Sequence, residues 1–134
     1  MLVCTGVGCV SVQDEPGREI ARKSAAIKLV RSTSVLALAS GSATAIFGAT
    51  ATAGNLLLAI VSNPSADPAF NTPSGWTVAA ATFNNNLGQI ILYKYASGSE
   101  TGLTVDGFAT LVHTLEVHEF SGIDPTIAPV VATT

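Results

Sequence analysis

The chain has 134 residues, of which 11% are charged and 48% hydrophobic, and its formal net charge is -3. This length accommodates one domain with a core, and the composition is far from the charged, apolar-poor composition of disordered chains. Soluble monomers carry about a quarter charged residues, so the low charge predicts that neighbouring subunits cover part of the surface. No apolar run approaches the roughly 18 residues of a membrane-spanning helix, so we expect no membrane partner.

Residues 1–13 are apolar and β-prone, with a glycine-containing stretch that predicts a turn. Cys4 and Cys9 flank this stretch, T-G-V-G, and a tight turn would bring them face to face across a hairpin. That geometry would permit a disulfide, whereas two cysteines without a second pair make a poor zinc site. Small apolar thiols that pack against a neighbour are the simpler interpretation.

Residues 14–31 predict a short amphipathic helix or an extended arm. Asp14 is a suitable N-cap, and Ile20 and Ile27 with nearby alanines would form an apolar stripe. A Pro-Gly pair near the start leaves such a helix few turns. We therefore divide the chain into an N-terminal arm, residues 1–33, and a body, residues 34–134.

The arm is basic and the body is acidic. From Ser32 onward one basic residue, Lys94, stands against six acidic ones. This asymmetry predicts that the arm lies on an acidic surface, either of a neighbouring copy or of another protein. Nucleic acid is disfavoured as a partner, because acidic residues interrupt the basic ones and the arm has no aromatic side chain to stack on bases. The basic residues assigned to partner binding are Arg18, Arg22, Lys23, Lys28 and Arg31.

From residue 34 onward the pattern is that of short strands separated by turn residues, with no helical segment between them. It predicts an all-β protein, an antiparallel β-sandwich that includes jelly-roll variants. The loop over residues 63–75 contains three prolines and is a candidate contact surface. Strands are predicted at residues 34–40, 44–50, 55–62, 76–83, 89–97, 102–106, 109–120 and 127–133.

The segment A-T-L-V-H-T-L-E-V-H-E-F-S-G, residues 109–122, carries the only histidines of the chain. In a strand, side chains alternate, so Glu116 and His118 share one face while His113 and Glu119 share the other. The histidines are five residues apart, unlike the zinc motif H-E-x-x-H. We interpret Glu116 and His118 as a solvated or interface-facing pair; the alternative is a metal-dependent enzyme that uses His113, Glu116 and His118.

Other motifs of catalysis are absent from the sequence, which has no G-x-S-x-G, no Walker loop and no Rossmann fingerprint. We therefore predict no catalytic residue, no metal and no cofactor.

The aromatic residues allow two interpretations. Trp76 opens a strand after T-P-S-G and is expected to anchor the core beneath a loop. Tyr93 and Tyr95 share a sheet face with Ile91, which predicts a core or interface face. The alternative is a carbohydrate-binding groove built from Trp76 and Tyr95.

Four segments of the body follow one another in an order that resembles a known family. They are T-A-T-A-G-N-L-L-L-A-I-V-S, T-P-S-G-W-T-V-A-A-A-T, Q-I-I-L-Y-K-Y-A-S-G-S-E-T and H-T-L-E-V-H-E-F-S-G-I-D-P. Together they resemble a β-sandwich module of tailed-bacteriophage structural proteins and some bacterial surface proteins. The resemblance covers residues 50–125. The matching positions are Gly54, Asn55, Leu56, Gly75, Trp76, Thr77, Tyr93, Lys94, Ala96, Phe120, Ser121, Gly122, Ile123 and Asp124.

The resemblance implies a virion component on the capsid exterior or the tail, made in the host cytoplasm and without enzymatic activity. Our leading hypothesis is a capsid cement or decoration subunit, a homotrimer whose arm contacts the major capsid protein and its own copies. The alternative is a tail-fibre or surface adhesion module that binds host glycans. Such modules usually continue past the S-G-I-D-P element, so either strands before Gly54 or a neighbouring subunit must complete the sandwich. The candidate interface or ligand surface comprises Trp76, Tyr95, Glu116 and His118.

Overall fold

The computed structural model describes residues 2–5, 8–11, 26–38, 41–64, 71–84, 87–108 and 112–129. These residues form strands, turns and bends and contain no helix. Every strand pair among them is antiparallel, which confirms the predicted all-β, antiparallel class. The strands are β1 (Leu2–Thr5), β2 (Gly8–Ser11), β3 (Lys28–Ala37), β4 (Gly41–Ile46), β5 (Leu56–Asn63), β6 (Thr77–Asn84), β7 (Leu87–Tyr95), β8 (Gly102–Phe108) and β9 (His113–Ser121).

The body has two layers. A five-stranded sheet has the order β3-β9-β5-β7-β6, and a two-stranded sheet of β4 and β8 packs on one of its faces. The chain leaves the larger sheet after β3 and after β7, and it returns at β5 and β9. This arrangement is a small β-sandwich, in which one layer is wider than the other.

Strand alternation decides which side chains enter the sandwich. In β5, Leu57, Ala59 and Val61 are at most 1% exposed, while Leu58 and Ile60 between them are only half-buried. β9 repeats this alternation, as its sequence predicts. We call the side of the five-stranded sheet that faces β4 and β8 the inner face, and the opposite side the outer face.

The core lies between the inner face and the two-stranded sheet. β4 contributes Ala43 and Ala45, whose small side chains are buried and let the two layers approach closely. The larger sheet supplies three fully buried leucines from neighbouring strands, Leu57, Leu92 and Leu115. The core residues are Ala43, Ala45, Phe47, Ala51, Leu57, Ala59, Val61, Ile90, Leu92, Ala96, Leu103, Val105, Phe108, Leu115 and Val117.

The boundary between arm and body lies earlier than predicted. β3 begins at Lys28 and pairs with β9 from Lys28 opposite Ser121 to Ala37 opposite His113. Of the two predictions for residues 14–31, a short helix or an extended arm, the helix is wrong for 26–31, and residues 14–25 lie outside the described ranges. The physical reason is tertiary: β9 offers nine residues of backbone for pairing, and this outweighs a weak helical pattern.

The first and last strands predicted from the sequence have different outcomes. β1 and β2 form a separate hairpin whose register places Cys4 opposite Cys9, as the predicted turn requires. Residues 127–129 of the predicted last strand are not in a strand, and the rest of that segment lies outside the described residues. The sandwich is completed instead by β3 and β4, both of which precede Gly54.

Candidate interaction face

The outer face is a continuous surface across all five strands. One row of register partners runs Ser32, His118, Leu58, Tyr93 and Thr77 from β3 to β6. The next row runs Ser34, Glu116, Ile60, Ile91 and Ala80. Because side chains in one register row point to the same side, the sequence of these rows defines the chemistry of the face.

The outer face combines an apolar band with a polar groove, and the exposed Leu29 and Leu36 of β3 add to its apolar surface. Leu58, Ile60, Ile91 and Tyr93 form an apolar band on β5 and β7, each partly buried by its neighbours alone. Together these residues make a wide, nearly uncharged surface, which is the type of patch that marks protein contacts.

The polar part of the outer face lies on β3 and β9. An open groove of about 440 Å³ runs along these strands, and it is lined by Ser32, Thr33, Ser34, Glu116 and His118. Serine hydroxyls, a carboxylate and an imidazole there provide both donors and acceptors of hydrogen bonds beside the apolar band.

Glu116 and His118 share this face, as the alternation predicted. His118 Nε2 lies 3.6 Å from Glu116 Oε2, and the two side chains are 23% and 47% exposed, respectively. The His118 ring also lies against Phe120, with 6.2 Å between the ring centroids. The pair is therefore accessible to a partner and is an ion pair whenever the imidazole is protonated.

His113 lies on the inner face instead, at the far end of β9. It is 1% exposed, and its ring stacks on Phe108 with 3.8 Å between the centroids. Neither ring nitrogen makes a hydrogen bond of good geometry with a described residue. Burial lowers the pKa of His113, and the backbone of Ser42 opposes that shift.

The sheet thus separates His113 from Glu116 and His118. These three side chains cannot converge on one metal or one substrate, because the sheet lies between them. Within the described residues no group of three or more His, Cys, Asp or Glu side chains is placed to hold a metal ion.

Glu119 and Arg31 form an ion pair that sequence reasoning did not predict. The Glu119 side chain is fully buried on the inner face, and its Oε2 lies 2.7 Å from Arg31 Nε. Its Oε1 accepts hydrogen bonds from the Thr52 backbone N–H at 2.8 Å and from Asn55 Nδ2 at 2.6 Å. The alternation of β9 indicated an inward Glu119, but its partner comes from a strand 88 positions earlier in the chain.

The protonation state of Glu119 follows from these contacts. Burial by itself would raise its pKa, but the Thr52 N–H, the Asn55 amide and the Arg31 charge together lower it. Arg31 was predicted to bind a partner; its guanidinium is engaged inside the body, 5.8 Å from the centroid of the Phe47 ring. Lys28 is exposed at the start of β3. Arg18, Arg22 and Lys23 lie outside the described residues.

Lys94 is engaged in a second ion pair. Its Nζ lies 2.7 Å from Glu100 Oε1. The Glu100 carboxylate also accepts hydrogen bonds from the backbone N–H groups of Ser97, Gly98 and Ser99. Burial raises the pKa of Glu100, but Lys94 and Ser97 outweigh that effect and lower it to about 2.

Trp76 and Tyr95 lie on opposite sides of the larger sheet. Trp76 is half-buried and packs against the core, as predicted. Tyr95 is on the outer side, where its hydroxyl donates to the carbonyl oxygens of Ile127 at 2.7 Å and Asp124 at 3.2 Å. Burial, followed by the charges of Asp124 and Tyr93, raises the pKa of Tyr95. These two aromatic side chains therefore do not line one groove.

Comparison with known proteins yields no match: no family model, no curated protein and no solved structure is similar to this chain. Within the described residues no helix is long and apolar enough to cross a membrane. Gly54, Gly75 and Gly122 have φ values near +80° (83°, 79° and 82°). L side chains rarely adopt such φ values, which explains glycine at these three positions.

Proposed function

We propose that this chain is a structural assembly protein without enzymatic activity, and that its β-sandwich body docks through the outer face. The observation that carries the proposal is the pairing of an apolar band, centred on Ile60 and Ile91, with the polar groove beside Glu116 and His118. Contact surfaces of this kind combine an apolar centre with a rim that forms hydrogen bonds.

The most specific form of the proposal is a cement or decoration subunit on the capsid of a tailed bacteriophage. Its support is the resemblance of residues 50–125 to phage structural modules and the low charge of the chain, 11%. The partners would be the major capsid protein and further copies of this chain, in a homotrimer that assembles on the shell. A subunit that neighbours cover on several sides does not need a highly charged surface to remain soluble.

The charge distribution supports a role for the arm in this assembly. Because Arg31 is paired to Glu119 inside the body, the proposed arm contact depends on the exposed Lys28 and on Arg18, Arg22 and Lys23, which lie outside the described residues. Glu116, whose side chain is 47% exposed, offers a carboxylate on the outer face of a neighbouring copy. Attraction of this kind increases association rates and selects the partner more than it adds affinity.

The glycan-binding alternative has less support. It requires an aromatic platform for a sugar ring, and Trp76 and Tyr95 lie on opposite sides of the sheet. The hydroxyl of Tyr95 is also engaged by the turn over residues 124–127.

A binding experiment on shells of the phage that encodes the chain, prepared without this protein, tests the proposal. Full-length protein with Ile91→Glu should lose occupancy, because a carboxylate would be buried at the contact. A second variant with glutamate at positions 18, 22 and 23 tests the arm separately. The readout is the number of bound copies per shell, measured by quantitative mass spectrometry.

The matched control is Thr104→Glu, which adds the same charge to the exposed side of β8. It should bind as wild type, and every variant should be folded at the temperature of the binding assay, as circular dichroism can verify. If both the outer-face and the arm variants still decorate shells at full occupancy, the proposed function is wrong.

A further inference from the structure

β6 forms one edge of the five-stranded sheet. It pairs with β7 on one side, and no described strand pairs with its other side. An edge strand presents a row of backbone N–H and C=O groups that bond to water unless another extended segment pairs with them. The chemistry of this edge therefore selects a β-strand as its partner.

β6 lacks the charges and prolines that normally keep an edge strand from pairing. Its sequence, T-V-A-A-A-T-F-N, contains no charge and no proline, and the chain has no charged residue between Asp67 and Lys94. The opposite edge, β3, carries Lys28 and Arg31 and a bulge at its start. β6 has one irregularity, between Val78 and Ala80, and its pairing with β7 is regular beyond it.

The side chains of β6 are also exposed in a way that favours a partner. Val78 and Phe83 are 46% and 47% exposed, although both point toward the inner side of the sheet. Between them the strand carries three alanines, Ala79 to Ala81, which leave room for a second strand to approach. A strand laid along β6 would cover apolar surface as well as satisfy backbone groups.

We propose that β6 pairs antiparallel with β6 of a second copy of this chain, around a two-fold axis. An identical strand brings no charge, so the pairing has no like-charge repulsion along its length. A two-fold contact of this type is self-complementary and closes after two copies. It joins two five-stranded sheets into one of ten strands, near the upper size of an open twisted sheet.

This inference does not rest on the proposed capsid role, because its observation is the edge of the sheet rather than the outer face. Its consequence for that role is geometric. Two outer faces become one continuous surface, which doubles the area that a larger partner can cover.

The test is the mass of the full-length protein in solution, measured by sedimentation equilibrium over a range of concentrations. Wild type should form a reversible dimer. Thr82→Lys places a charge on the exposed edge strand, and charged side chains are a common means by which edge strands avoid pairing. The dimer dissociation constant should rise at least about tenfold.

Thr104→Lys is the matched control, because it makes the same Thr-to-Lys change at an exposed strand position outside the five-stranded sheet. It should dimerise as wild type. Amide hydrogen exchange gives a second measurement: residues 77–84 should become more protected as the concentration of wild type rises, and not in Thr82→Lys.

Two results would overturn the proposal. The first is a wild type that stays monomeric while residues 77–84 exchange at the same rate at every concentration. The second is an assembly of any size that Thr82→Lys leaves intact, since such an assembly uses the arm or the outer face.

Discussion

Arg31 Nε lies 2.7 Å from Oε2 of the fully buried Glu119, and this contact joins the edge strand β3 to its neighbour β9. The carboxylate also receives hydrogen bonds from Thr52 and Asn55, so one side chain links three segments distant in sequence. The pair shows why β3 belongs to the body although the basic sequence around it predicts an arm.

Removing the cation of this pair should destabilise the fold. Arg31→Ala leaves the Glu119 carboxylate buried with its two hydrogen bonds but without a countercharge. We expect a loss of about 3 kcal/mol in the free energy of unfolding, at the low end for buried pairs because Arg31 is 26% exposed. Urea unfolding followed by circular dichroism measures this loss.

Lys28→Ala, on the same strand but exposed, is the control and should change stability by less than about 0.5 kcal/mol. Glu119→Gln combined with Arg31→Ala should recover part of the loss, since the neutral amide needs no countercharge. Equal effects of Arg31→Ala and Lys28→Ala would show that the pair is not structural.

Acid should weaken the same pair. The pKa of Glu119 is lower in the folded chain than its ordinary value, so the unfolded chain binds the proton more tightly. The stability that the carboxylate contributes is complete above the unfolded pKa and is lost as the pH falls through the folded one. The double variant should therefore show a smaller loss of stability below pH 4.5 than wild type.

His113 should make stability depend on pH in a higher range. Burial lowers the pKa of His113 below 6.5, so the unfolded chain binds this proton first as the pH falls. Stability should be complete above about pH 7 and should then decrease by up to about 1.4 kcal/mol per pH unit below 6.5. His113→Phe keeps an aromatic ring on Phe108 and should flatten this dependence between pH 5 and 7.

Leu115→Ala is the appropriate comparison for His113→Phe, because it weakens the same strand without changing a titratable group. The unfolding free energy of Leu115→Ala should be lower at every pH, and its dependence on pH should match that of wild type. If the unfolding free energy of His113→Phe depends on pH as strongly as that of wild type, the prediction is wrong.

Leu57 and Leu58 provide a test of the two faces with one residue type. Leu57 is fully buried in the core, whereas Leu58 points to the outer face and is half-buried. Leu57→Ala should cost about 2 to 5 kcal/mol in the free energy of unfolding. Leu58→Ala should cost about 1 kcal/mol or less in stability and should instead weaken binding to shells.

If Leu58→Ala destabilises the isolated chain as much as Leu57→Ala does, the outer face is a second core surface rather than a contact surface. Thermal unfolding of both variants at one protein concentration distinguishes these cases.

Gly102 should tolerate no side chain. Its φ is +155°, and a Cβ at this position would lie 2.2 Å from the carbonyl oxygen of Ala45 and 2.8 Å from the Cα of Ile46. Both neighbours are backbone atoms of β4, so relief requires the two strands of the small sheet to separate. Gly102→Ala should therefore destabilise by about 2 to 4 kcal/mol.

Gly48→Ala is the control for this substitution, since a Cβ there meets no atom within 4 Å. It should change the melting temperature little. Similar melting temperatures for both alanine variants would mean that β4 and β8 do not hold the spacing described.

The all-β class, most strand positions and the alternation of β9 could be predicted from the sequence. These features depend on local chemistry: β-branched and aromatic residues in alternation, and turn residues between them. The opposite placement of His113 and His118 followed from the period of a strand, and Trp76 was predicted as a core anchor for a similar reason. The predicted final strand over residues 127–133 was wrong for residues 127–129, which form a bend and irregular structure, and its remaining residues lie outside the described ranges.

Tertiary structure decided the features that depend on which strands meet. The sequence placed Ile91, Tyr93 and Tyr95 on one face, but only the packing of β4 and β8 against the other side shows that this face is outward. The extent of β3 and the partner of Glu119 were set by pairing across 88 positions of chain. A strand's period determines which residues share a face, whereas long-range pairing determines which face is buried, and that pairing has no local signal in the sequence.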